Sequence, residues 1–152
     1  MPVVEQVQAQ DRDVVALLDA LTSELAHGGY SADETFGYSL HQLEQSRVHL
    51  VGARVGGKLV GVGGVELDAD GSGELKRFYV APDHRGTGVA DVVITALVAH
   101  ARQRGTKVLR LETGDKQLAA IVFYRRHGFV EIPRFGAYVG SATSVCMQRD
   151  VS

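Results

Sequence analysis

The period of the apolar positions changes several times along the chain, and each change marks an element. Val3 to Val7 alternates apolar and polar and predicts a short first strand. Val14, Leu17, Leu18, Leu21 and Leu25 then recur at helical spacing. Asp11 or Asp13 is placed to cap that helix, and His27-Gly28-Gly29 to end it. Tyr30 to Gly37 reads as a polar loop and Tyr38 to Gln45 as a second short helix. Arg47 to Arg54 and Lys58 to Leu67 are strand-like on either side of Gly56-Gly57, a pair that suits a tight primed turn. Asp68 to Gly73 is another turn cluster, and strand Glu74 to Val80 completes a meander of three antiparallel strands.

The second half alternates. Val89, Val93, Ala96, Leu97, His100 and Ala101 make one helical face. Arg102 and Arg104 lie near its C-terminus, where the dipole favours cations, and Gly105 stops it. Lys107 to Glu112 is a short buried-type strand, parallel to Glu74 to Val80 because a helix separates the two. Thr113-Gly114-Asp115 turns into a helix from Lys116 to Arg126. Gly128-Phe129-Val130 opens a strand, and Ala142 to Gln148 reads as the last. The expectation is one α/β domain, residues 1–152: a mixed, mostly antiparallel sheet with helices on both faces.

Composition excludes more than it selects. A net charge of −2, with acidic and basic residues intermixed, gives no reason to expect nucleic acid or membrane as a partner. Cys146 is the only cysteine, so neither an internal disulfide nor a cysteine-based metal site is expected; it reads as a packing residue in a strand. The six histidines show no metal spacing. The N-terminus has no basic region followed by an apolar run, and no apolar stretch is long enough to span a bilayer. A reducing, cytoplasmic setting fits these features.

The informative stretch is Glu74 to Ala90, ELKRFYVAPDHRGTGVA. It runs strand, turn, small residues, helix. The first N–H groups of a helix have no intrahelical partner and, with the dipole, favour an anion; glycine lets a phosphate approach the backbone. Gly86-Thr87-Gly88-Val89-Ala90-Asp91 fits neither GxxxxGK[ST] nor GxGxxG. It does fit [Q/R]-x-x-G-x-[G/A], as Arg85-x-x-Gly88-x-Ala90. That pattern resembles the acetyl-CoA pyrophosphate loop of the GNAT N-acetyltransferase superfamily. Ala120, Phe123, Tyr124, Gly128 and Phe129 resemble its A-x-x-[LF]-Y-x-x-x-G-F signature, one helix and one strand further on. The resemblance covers roughly residues 45–149. It departs at Gln117, where many members carry Asn.

The resemblance implies an acyl-CoA N-acyltransferase fold with a V-shaped splay between strands 74–80 and 107–112. It implies direct transfer of an acetyl group from acetyl-CoA, without metal, to a primary amine in a ternary complex. Backbone N–H groups of Arg85, Gly86, Thr87, Gly88, Val89 and Ala90 would hold the pyrophosphate. Backbone groups of Phe78, Tyr79 and Val80 would pair with the pantetheine arm, with an N–H near Tyr79–Val80 at the thioester oxygen. Gln117 would contact the cofactor in place of the usual Asn. Tyr124 would be the general acid, facing the same way as Gln117, with a core aromatic as its alternative. Glu74 is the candidate base; a salt bridge with Lys76 on the same strand face competes with that role, and Glu112 is the second candidate. The early region would shape the acceptor pocket, and the last strands leave room for a homodimer. Two other readings stay open: a non-catalytic acyl-CoA sensor on the same fold, and a nucleotide-binding protein using Gly86–Gly88.

Overall fold

The computed structural model describes residues 1–31 and 39–152. Its strands are β1 (Val3–Gln6), β2 (His49–Val55), β3 (Lys58–Leu67), β4 (Ser72–Val80), β5 (Val108–Gly114), β6 (Val130–Ile132) and β7 (Ser144–Asp150). Its helices are α1 (Arg12–His27), α2 (Leu40–Gln45), α3 (Val89–Gln103) and α4 (Leu118–Arg126). The strands form one sheet in the order β1-β2-β3-β4-β5-β7-β6, antiparallel except between β4 and β5. This is the expected mixed, mostly antiparallel sheet.

Each face of the sheet carries its own core. On one face α3 buries Val89, Val93, Ile94 and Leu97 against Leu75, Val80, Leu109 and Leu111, with Tyr124 of α4 and Phe129. On the other, Val14 and Leu18 of α1 and Leu43 of α2 pack on Leu50, Leu59, Val62 and Tyr79. Each fully buried side chain of this size stabilises the fold by roughly 1.5–3 kcal/mol. The α3 face matches the helical periodicity. His100, which shares that period, instead stacks on His49 of β2, ring centroids 3.7 Å apart.

Several boundaries move, each for a tertiary reason. Strand β4 starts two residues earlier than the pattern indicates, because Ser72 and Gly73 pair with Val108 and Leu109. Strand β5 runs on to Gly114, carried by seven pairs with β7. The last strand is therefore inserted between β5 and β6. Helix α4 begins at Leu118, so Gln117 is its N-cap rather than a helical residue. The preceding turn is held by Tyr30, whose hydroxyl accepts from the Lys116 N–H at 2.7 Å and donates to Asp115 at 3.3 Å. Tyr30 is thus buried and not part of a polar loop. The expected loop and helix start over 32–38 lie outside the described residues. Helix α2 is capped by Ser39 and Gln42, each side chain bonding the other's backbone N–H.

Two features of β4 position the site. Its parallel pairing with β5 stops after Glu74↔Arg110, and the strands separate beyond it. Its register with β3 also slips between Val62 and Gly64, where Arg77 takes φ +52°. A non-glycine residue held there is strained by about 1–3 kcal/mol and marks a place where surrounding structure overrides local preference.

Candidate active site

The separation of β4 from β5 opens a cleft of about 490 Å³, floored by α4 and closed at one end by the glycine loop. Backbone alternation decides what β4 offers to it. The Ala81 N–H bonds the Val60 carbonyl, so Ala81 and Tyr79 turn their main chains toward β3. Phe78 and Val80 turn theirs toward the side that β5 has left. Tyr79 lines the cleft while its main chain pairs with Val62. The Val80 carbonyl accepts from Arg85 Nε at 3.0 Å.

At the loop, Gly86 and Gly88 have φ +74° and +91°, and a Cβ at either would meet nothing within 4 Å. These glycines are required by dihedral angle and not by packing. Gly88 is the N-cap of α3, so the helix begins with its free N–H groups at the cleft. The Arg85 guanidinium points away from them: it binds both Glu24 carboxylate oxygens on α1, at 2.8 and 3.1 Å, and ties the loop down. Thr87 donates to the His84 carbonyl and tightens the turn. Asp91, in the first turn of α3, also lines the cleft; His127 Nε2 lies 2.7 Å from its carboxylate and an Arg126 nitrogen 3.8 Å. No group of three or more potential metal ligands occurs among the described residues.

The two faces of the sheet meet in the cleft. Tyr124 enters from the α3 side, packed edge-on against Phe78, Phe123 and Phe129. Its phenol pKa is raised by burial and further by the charge of Glu112, and its hydroxyl has no hydrogen-bond partner among the described residues. Ala120 and Gln117 line the same wall. Leu109 and Leu111 face α3, so Glu112 faces the other way, toward α1. Burial raises the Glu112 pKa; the 2.6 Å hydrogen bond from Ser144 opposes that shift, the Glu74 charge adds to it and Lys76 lowers it.

Glu74 is placed differently. Lys76 Nζ lies 3.0 Å from its carboxylate, and the Tyr138 hydroxyl donates a short hydrogen bond to the same oxygen. Lys76, Tyr138 and Glu112 line the cleft, whereas Glu74 stands behind them. Residue patterns did not single out Tyr138, which arrives from the chain between β6 and β7, or Ser144, the first residue of β7. The one available signal was the strand reading of the last segment, which places Ser144 near its start without naming its neighbour.

Comparison with known proteins bears on this geometry. The family model for acetyltransferases of the GNAT family matches residues 15–129. An IAA acetyltransferase of Azospirillum brasilense is 32% identical over 137 residues, covering 90% of this chain and 89% of that protein. A Klebsiella pneumoniae structure assigned as an acyl-CoA N-acyltransferase superposes with a TM-score of 0.88 at 33% identity, covering 100% of this chain and 99% of that one. The PaiA N-acetyltransferase of Thermoplasma acidophilum, solved with coenzyme A, has a TM-score of 0.81 at 16% identity and covers 99% of both chains, a likeness of fold alone.

Proposed function

Because the chain belongs to the acetyltransferase (GNAT) family, we propose that it moves an acetyl group from acetyl-CoA to a primary amine by direct transfer, with Glu112 as base and Tyr124 as acid. The observation that carries the reading is the gap between β4 and β5, which leaves main-chain groups of Phe78 and Val80 without a strand partner among the described residues, beside the open start of α3. An extended amide chain can pair with such an edge, and a pyrophosphate suits free N–H groups at a helix start. Acetyl-CoA supplies the activated acyl carbon.

The residues divide the work. The N–H groups of Gly86 to Ala90 hold phosphate, and the Arg85 side chain fixes their loop. The Val80 N–H stabilises charge developing on the thioester oxygen. Glu112 takes a proton from the attacking amine as the N–C bond forms. The C–S bond breaks, and the sulfur takes a proton from Tyr124. Burial suits both groups: it raises the carboxylate toward operating pH and keeps the phenol protonated. Glu74, already bound to Lys76 and Tyr138, orients the Lys76 side of the acceptor pocket. Gln117, at the N-cap of α4, donates to the pantetheine.

Release of free thiol from acetyl-CoA across a panel of amines tests the reading. Turnover with an amine class supports it; acetyl-CoA binding without turnover of any amine would favour a sensing module. Tyr124→Phe is expected to lower kcat by roughly ten- to a hundredfold, at the low end of acid catalysis because a thiolate leaves readily. Calorimetry should show acetyl-CoA affinity little changed. Ser144→Ala removes a hydrogen bond that favours ionised Glu112, so the acidic limb of kcat/KM should move to higher pH. An unmoved limb would assign it to another group.

A further inference from the structure

We infer that Arg77 selects acceptors carrying a carboxylate as well as the reacting amine, an inference that rests on the acetyl-transfer reading above. Arg77 lines the cleft at the β4 irregularity, where the strand leaves β5. Leu75 and Phe78 both pack toward α3, so the extra residue leaves Lys76 and Arg77 together on the α1 face, the face of Glu112.

The guanidinium is committed on one side only. Its Nη2 donates to the Leu18 carbonyl at 3.0 Å and to the Thr22 hydroxyl at 2.7 Å, which uses both of that nitrogen's hydrogens. Its Nε is enclosed with no hydrogen-bond partner among the described residues. Nη1 makes no hydrogen bond among the described residues and is not enclosed as Nε is. Arg77 makes no ion pair among the described residues; Asp19 influences it only at longer range. Burial disfavours its charge, and the distant Asp19 carboxylate offsets only part of that.

Two hydrogen bonds to α1 prevent this cation from swinging into water. An anion must come to it, and a planar guanidinium with a free Nη1 suits a carboxylate oxygen. Lys76 does not serve the same purpose, since Glu74 is 3.0 Å from its ammonium. Across the splay, Glu112 attracts and deprotonates the amine. One wall of the acceptor pocket thus takes the cationic end of the acceptor and the other takes an anionic end. The acceptor class is an amino carboxylate.

The test uses pairs of amines matched except for the carboxylate: an amino acid and the amine lacking it. Thiol release is measured for wild type, Arg77→Lys and Arg77→Met. Wild type should favour the carboxylated member by about tenfold or more in kcat/KM, a charge-assisted hydrogen bond's worth of discrimination. Arg77→Met should bring that ratio near one, through the acceptor KM and not the acetyl-CoA KM; Arg77→Lys should fall between. The ratio is independent of how much protein is folded, so a destabilised variant still reports. Equal turnover of both members by wild type, or an unchanged ratio in Arg77→Met, overturns the role of Arg77 and leaves acetyl transfer standing. Absence of turnover with every amine overturns both.

Discussion

Glu112→Gln is expected to lower kcat/KM by about 10²–10⁴-fold near neutral pH, the ordinary contribution of a positioned base. Acetyl-CoA affinity should be retained, because the substituted carboxylate faces the acceptor side of the sheet. The same substitution should remove the acidic limb of the pH–rate profile. Its effect on stability has the opposite sign to its effect on activity. Burial raises the pKa of Glu112 in the folded protein. A raised carboxylate contributes stability that is fully present below its unfolded pKa and lost as pH rises through its folded pKa. Near neutral pH the charged form is therefore a burden on the fold, and glutamine relieves it. Thermal unfolding of the variant against wild type across pH checks this: the variant should gain relative stability as pH rises. A variant that keeps wild-type turnover would return the base role to Glu74.

The second large effect is at the loop. Gly88→Glu is expected to weaken acetyl-CoA binding by 100-fold or more. One carboxylate about 5 Å from a phosphate charge costs roughly 3 kcal/mol at a near-surface effective dielectric. The dihedral adds to it: Gly88 sits at φ +91°, where any side chain is strained by about 1 kcal/mol. Gly88→Ala separates the two contributions. A Cβ at that position meets nothing within 4 Å, so alanine brings the strain without the charge. Its binding loss should be no more than about tenfold. Calorimetric titration with acetyl-CoA measures both variants, and circular dichroism shows whether each remains folded. Normal affinity in Gly88→Glu would mean that phosphate binds elsewhere.

Much of the fold was legible because its elements are built from local, periodic signals. The α3 stripe, the Gly56-Gly57 hairpin and the strand–loop–helix order at Arg85–Ala90 each lie within one continuous stretch, and each reappears in the structure. The boundaries that moved did so where partners distant in sequence intervene. Strand β5 is extended by β7, which lies about thirty residues onward, and the start of α4 is set by Tyr30, 86 residues before Lys116. Local propensity has no access to either partner.

The candidate site divides along the same line. Gly86, Gly88, Tyr124 and the strand Phe78–Val80 belong to patterns with fixed spacing, so residue order alone brought them forward. The choice between two carboxylates did not reside in order. Glu74 and Glu112 are both glutamates on strands; the Lys76 pairing of Glu74 was legible two residues along its own strand, but Tyr138 and Ser144 reach the two carboxylates from segments distant in sequence. Arg77 is the clearest case. In the sequence it is one more cation in a strand; its positive φ, its bonds to α1 and its lack of an ion pair among the described residues arise only when β4 bulges under α1. The sequence by itself determined the family, the order of the elements and the loop, because each rests on neighbours along the chain. Charge state, desolvation and pairing depend on what folding brings within a few ångströms, and only the tertiary structure decided those.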